Sequence, residues 1–168
     1  LACAGDARIQ RVDGGAERSA SVLNALLHLH ALGADEEDWV LVHDAARPNL
    51  ARDDLDKLLG ELADDAVGGL LAVPARDTLK RVDKHGRVVE TVDRSVIWQA
   101  YTPQMFRLGA LHRALADSLV ADAVITDEAS AMEWAGQAPR LIEGRSDNLK
   151  VTRPEDLEWL RLRWANRR

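Results

Sequence analysis

The chain has 168 residues, enough for one domain with a buried core. Its 46% hydrophobic and 30% charged residues are the mixture of an ordinary globular protein, with no run of about 20 apolar residues to span a membrane and no visible secretory signal. A net charge of −6 argues against nucleic-acid binding, which needs a basic face, but leaves room for a small anion held by a few local cations.

Along the chain, "RIQRV" (8–12) is a short strand candidate that runs into the glycine turn "DGGAERSAS". Residues 20–32 carry apolar side chains at helical spacing, with Ser19 or Ser21 as N-cap. "DWVLVH" (38–43) is nearly continuously apolar, the pattern of a strand buried on both faces of a parallel sheet. An amphipathic helix is expected over 52–65 and a second buried strand over 68–75. Residues 77–94 change character: two short charged strands flank Lys84-His85-Gly86-Arg87, a hairpin turn with glycine for positive φ. Helices are expected over 107–121 and 127–136, and short strands over 140–144 and 148–151. The last helix, 152–168, opens with Thr152, Pro154 and Glu155 in a capping-box arrangement. Trp39, Trp134 and Trp159 fall on periodic apolar faces and are expected in the core, while Trp98 beside the hairpin is expected at an interface. The alternation of strands and helices indicates an α/β fold, a Rossmann-like, doubly wound, mostly parallel sheet with a protruding β-hairpin arm.

The single cysteine, Cys3, has no partner for an internal disulfide, which points to a cytoplasmic location. The five histidines lack metal-ligand spacing and read as structural. The most informative stretch is "VLVHDAARPNL" (40–50), where an apolar strand stops at Asp44 and Arg47. In open parallel sheets ligands bind where strands end. An acid there holds a hydrated divalent metal, an arginine takes phosphate or carboxylate, and Ala45 and Ala46 let a ligand approach the backbone. The alternative is that Asp44 caps the turn and Arg47 pairs with it. The glycine turn before the first helix adds free N–H groups suited to anions, although neither a dinucleotide fingerprint nor a P-loop occurs.

Six segments, "DGGAERSASV", "VLVHDAARP", "VPARDTLKRV", "TVDRSVIWQAYTPQMF", "ITDEASAME" and "EGRSDNLKVTRPEDL", occur in an order and spacing that resemble the 2-C-methyl-D-erythritol 4-phosphate cytidylyltransferases, from about Val12 to Trp159. The family's N-terminal glycine-rich loop and PKQ segment have no counterpart, and the chain begins at Leu1. The expectation is therefore a single nucleotidyltransferase domain over 1–168 that lacks its triphosphate-binding segment and is inactive as given. Ala16 stands where some members carry an acid near the base.

The resemblance implies a CTP-dependent enzyme of non-mevalonate isoprenoid biosynthesis, with Mg²⁺ or another divalent cation, acting on methylerythritol phosphate without nucleic acid or membrane. It implies a homodimer joined through the hairpin arm, about 76–100. Asp44, Arg94 and Lys150 become the catalytic candidates, Asp44 also as metal ligand. Arg47, Thr78, Thr102, Thr126 and Thr152 become substrate-binding candidates, Arg47 by holding the substrate-side loop. Gly14, Gly15, Ser21, Asp44 and Ala45 become nucleotide-binding candidates. Each has a plainer reading: Thr126 and Thr152 as helix caps, Thr78 as an ordinary hairpin residue, Lys150 as solvated, Arg94 paired with Asp93 or Glu90. Two other functions stay open, a cytidylyltransferase for another polyol phosphate such as ribitol 5-phosphate, and a non-catalytic nucleotide-binding relic.

Overall fold

A computed structural model describes residues 5–165, so Cys3 lies outside the described residues. The apolar run Gly68–Pro74 (β2) is buried along its length except at Pro74. It pairs in parallel with Arg140–Glu143 (β6), Leu71 standing opposite Ile142. Trp39–Val42 (β1) and Trp98–Arg107 (β5) complete a four-stranded sheet in the order β1-β5-β2-β6. The chain divides into two compact units, residues 1–40 with 106–138, and residues 41–105 with 139–168.

In the first unit, Arg18–Ala31 (α1), Leu108–Val120 (α3) and Glu128–Trp134 (α4) enclose a core of Leu26, Leu108, Leu111, Leu115 and Met132. The buried positions of α3 recur every three or four residues, the spacing that puts them on one helical face. The free N–H groups at its start find main-chain carbonyls, Leu108 N to Asp38 O at 2.8 Å and Gly109 N to Glu36 O at 2.9 Å. A reciprocal box between Asp127 and Ser130 caps α4. A two-point ion pair, Arg18 to Glu128 at 2.6 and 3.0 Å, joins the starts of α1 and α4, with the Glu128 side chain only 1% exposed.

In the second unit, Arg52–Leu62 (α2) brings Leu58 and Leu62, and Pro154–Ala165 (α5) brings Leu160, to the core that holds Leu70, Leu71 and Ile142. Asp147 anchors α5 and the loop before it. Its carboxylate takes two bonds from Arg145, at 3.0 and 2.7 Å, and an ion pair from Arg163 on α5. Its carbonyl accepts from the Asn49 amide at 2.7 Å, and Trp164 Nε1 donates to Asn49 Oδ1 at 3.1 Å. The antiparallel hairpin Lys80–Val82 (β3) and Val88–Thr91 (β4) is exposed at every strand residue. Its turn has Gly86 at φ +76, the conformation that calls for glycine there.

Several local expectations differ from the structure. Residues 8–12 form no strand; Gln10 is tied instead to α1 by a 2.6 Å bond with His28. Residues 148–151 are also irregular, because side-chain bonds take the place of a ladder there. β1 is half-buried rather than enclosed. The N-cap of α1 is Glu17, without a side-chain bond, and that of α4 is Asp127 rather than Thr126. The Thr152–Glu155 box is replaced by Asp156, whose carboxylate accepts Thr152 N and Arg153 N, each at 2.9 Å. Trp134 and Trp159 are 47% and 42% exposed, outside the core. No expected strand covers the long β5, where Pro103 lacks the N–H that a strand interior ordinarily donates.

The Arg145 hydrogen bonds, with smaller help from Arg163, hold the Asp147 carboxyl below its ordinary value. A group depressed in the folded state stabilises above its unfolded pKa and loses that contribution as pH falls through the folded one. Asp147→Asn should therefore cost about 1 kcal/mol near pH 7, with the gap to the parent closing below about pH 4. Urea unfolding of both proteins at several pH values measures this, and a gap independent of pH would contradict it.

Candidate functional site

The end of β1 explains the spacing of its acid and arginine. Arg47 N donates to Asp44 O at 2.9 Å, closing a four-residue turn whose middle is Ala45 and Ala46. The turn brings the first and last side chains together, with Arg47 Nε 3.9 Å from Asp44 Oδ2. Lys150 reaches the same carboxylate oxygen from the loop before α5, at 3.0 Å. That loop is held against the turn by Val151 N, which donates to Ala46 O at 2.8 Å.

The two cations are differently placed. The Arg47 side chain is 10% exposed and both of its terminal nitrogens are engaged, Nη1 to Asn148 O at 2.8 Å and Nη2 to Ala100 O at 3.4 Å, while Nε has only the longer ion pair with Asp44. Its guanidinium also lies 4.4 Å from the Tyr101 ring centre. Burial pushes the Arg47 guanidinium below its ordinary pKa, opposed by the charge of Asp44, yet arginine stays a cation in proteins. Lys150, by contrast, has a 44% exposed side chain and three rotatable donors. Arg47 therefore fixes the frame, while Lys150 can turn toward an anion without breaking it.

Thr102 lies in the same cluster. Its hydroxyl accepts from Asp44 N at 3.1 Å and meets His43 Nδ1 at 2.9 Å, and the residue is 4% exposed. Among the substrate-side threonines it is the one occupied with protein partners inside this cluster. Asn148 Nδ2 donates to Thr102 O at 2.9 Å, so the strand β5 and the loop around Lys150 brace each other. His43 and Asn148, absent from the expected site, are both part of it. Each sits inside a motif that marks the site, one before Asp44 and one in "NLK".

Arg94 and Thr78 are in the hairpin region of the same unit, both exposed, and the Arg94 guanidinium bonds the Arg76 carbonyl. Thr152 is exposed at the start of α5, where its hydroxyl meets Asp156 at 3.3 Å. In the first unit, Ser21 Oγ accepts from Gly15 N and donates to Glu17 O, both at 2.9 Å, which clamps the exposed Gly14–Gly15 pair to the first turn of α1. A Cβ on Gly15 would stand 2.4 Å from the Ala20 Cβ, so this approach of backbone to helix demands glycine. Thr126 lines a pocket of about 140 Å³ in that unit, together with Arg18, Asp127 and Glu128.

The residues present suit a divalent cation of one kind only. Among the described residues no group of three or more His, Cys, Asp or Glu is placed to hold a metal. A lone carboxylate such as Asp44 fits Mg²⁺ that arrives on substrate phosphates and keeps most of its other ligands from phosphate and water.

Arg47→Lys tests the frame. A lysine keeps the charge but cannot serve two carbonyls and the Tyr101 face together, so about 2 kcal/mol of stability should be lost as a buried carbonyl goes unpaired. Urea denaturation reads this, and a loss under about 0.5 kcal/mol, the level of ordinary surface changes, would contradict it.

The sequence model of the 2-C-methyl-D-erythritol 4-phosphate cytidylyltransferase family matches residues 2–161. A protein of that name from Pseudomonas fluorescens strain Pf-5 is 90% identical over all 168 residues, which span 72% of its length. Another, from Pseudomonas syringae pv. syringae, is 83% identical over 97% of this chain and 69% of its own. Among solved structures, a 4-diphosphocytidyl-2C-methyl-D-erythritol synthase superimposes with a TM-score of 0.80 at 48% identity, covering 89% of this chain and 67% of that one. The Francisella tularensis cytidylyltransferase gives a TM-score of 0.79 at 41% identity, over 89% and 69% of the two chains.

Proposed function

The chain belongs to the 2-C-methyl-D-erythritol 4-phosphate cytidylyltransferase family, and we propose that the Asp44–Arg47–Lys150 cluster is where its phosphate chemistry is organised. The fold is Rossmann-like, as in the solved relatives. The protein is a CTP-dependent nucleotidyltransferase that makes 4-diphosphocytidyl-2-C-methyl-D-erythritol and pyrophosphate for isoprenoid biosynthesis.

In this reaction a phosphate oxygen of methylerythritol phosphate attacks the α-phosphorus of CTP. The new P–O bond forms as the bond to the β-phosphate breaks, and the electron pair leaves with pyrophosphate. The attacking phosphate has a second pKa of about 6 and is largely ionised near neutrality, so no general base is required. The demand is electrostatic: two polyanions meet while charge grows on the leaving group. Lys150 supplies the mobile cation for the attacking phosphate. Arg47 holds Asp44 and the Lys150 loop in register, and Asp44 faces the substrate hydroxyls or the cation that accompanies CTP. When bound, that cation, Mg²⁺ in our reading, neutralises triphosphate charge. In the first unit, Gly14 and Gly15 would offer a close backbone edge, and Ser21 its hydroxyl, to the cytidine. The observation that carries the reading is the 3.0 Å pairing of the buried-side Asp44 with the solvent-facing Lys150 at a strand end.

The same reading makes 1–168 one nucleotidyltransferase domain with the hairpin, about 76–100, as an arm in a cytoplasmic homodimer. Its support is that a two-stranded ribbon is marginal on its own, while Val82, Val88, Val89 and Val96 are all more than half exposed. Arg94 and Thr78 would then serve the partner's site. Among the described residues no helix is long and apolar enough to cross a membrane.

Complementation tests both parts. In complete chains, Asp44→Asn and Arg94→Ala enzymes should each lose most activity while staying folded. Refolded together, about half the dimers are mixed, each with one intact site of two. Pyrophosphate release should recover to about a quarter of the parent rate. No recovery despite subunit exchange would place Arg94 in its own chain's site or in none.

A further inference from the structure

We propose that His43 is a positioning residue that holds the Asp44 turn from both ends. The proposal rests on the reading of Asp44 given above and extends it to the histidine just before it, which reads as structural from the sequence.

The geometry fixes the direction of each bond. His43 Nε2 lies 3.0 Å from the Arg47 carbonyl, which can only accept, so Nε2 carries the hydrogen. In the neutral ring Nδ1 is then an acceptor, and the Thr102 hydroxyl 2.9 Å away donates to it. With its proton so directed, Thr102 Oγ1 has a lone pair for the Asp44 amide at 3.1 Å. The imidazole thus spans the turn. One nitrogen holds the carbonyl of its last residue, and the other holds the amide of its first through a single hydroxyl.

No other side chain can do this from within the turn. Ala45 and Ala46 carry no polar group, and the turn closes on itself through the Arg47 N to Asp44 O bond and the longer Arg47–Asp44 ion pair. Loss of the imidazole would leave the Asp44 carboxylate on a backbone fixed at fewer points, while Lys150 and Arg47 still draw on it. The ring is exposed, but both of its nitrogens are engaged with protein. It therefore has none available as a base or metal ligand and acts through Asp44 alone. A displacement of about 1 Å at such a group is enough to slow a reaction by about 10²-fold.

The test combines a spectroscopic and a kinetic readout on the enzyme. Imidazole ¹⁵N NMR should report the Nε2–H tautomer for His43; the Nδ1–H tautomer would overturn the proposal. His43→Ala should lower kcat by about 10- to 100-fold per folded molecule. His43→Asn, which returns an acceptor to the Nδ1 place, should regain most of it. In an Asp44→Asn background the same His43→Ala change should lower the residual kcat by less than about threefold, since coupled groups are non-additive. An undiminished loss in that background would show that His43 acts independently of Asp44 and would end the positioning role. Asp44→Asn at the parent's kcat would instead sink the reading of the site itself, so the two failures are told apart.

Discussion

The second unit is organised around a buried arginine. Arg47 sits at a strand end with its guanidinium removed from water, held by the Asn148 and Ala100 carbonyls and by the Tyr101 ring. A buried cation is tolerable only where donors and counter-charge meet it, and here the partners come from three separate parts of the chain. The β1 turn, the strand β5 and the loop before α5 must therefore be assembled correctly together. Arg47 converts the cost of its own burial into a requirement for one geometry. That geometry places Asp44 and Lys150 at 3.0 Å.

The division of labour among the charges follows. Asp44 is drawn by a buried cation and an exposed one, and in the proposed reading an incoming phosphate competes only for the exposed one. Releasing Lys150 from Asp44 leaves the carboxylate still beside Arg47, so the site changes occupant without losing its frame. Farther along the same unit, Asp147 performs a comparable service for α5, receiving Arg145 and Arg163 on one carboxylate. The loop 144–151 is thus tied at both ends, and the Lys150 side chain is presented to solvent from it.

How much of this was legible in the sequence differed by the kind of interaction. β2, the helices and the hairpin were legible because burial and turn chemistry write a period and a glycine into the local sequence. Asp44 and Arg47 were legible from position alone, at the end of an apolar run. What escaped was non-local. β5 contains Pro103, and its place in the sheet depends on neighbours far away in sequence. Residues 8–12 have strand-like composition, but a side-chain bond to His28 holds them to α1 instead. The roles of Asn148 and His43 are set by partners 46 to 101 residues distant, or by a turn not predictable from type. Thr102 reads as a substrate-side residue, and its hydroxyl meets the Asp44 amide and the His43 ring, partners that its own segment does not reveal.

The central claim is that Asp44 and Lys150 form the acid–cation pair that a substrate phosphate enters. A crystal structure of the enzyme with 4-diphosphocytidyl-2-C-methyl-D-erythritol bound tests it most directly. The account predicts Lys150 turned from Asp44 onto a product phosphate, Asp44 facing the methylerythritol hydroxyls or a phosphate-bound cation, and Arg47 unmoved on the Asn148 carbonyl. Product bound elsewhere, with the 3.0 Å Asp44–Lys150 contact intact, would contradict it.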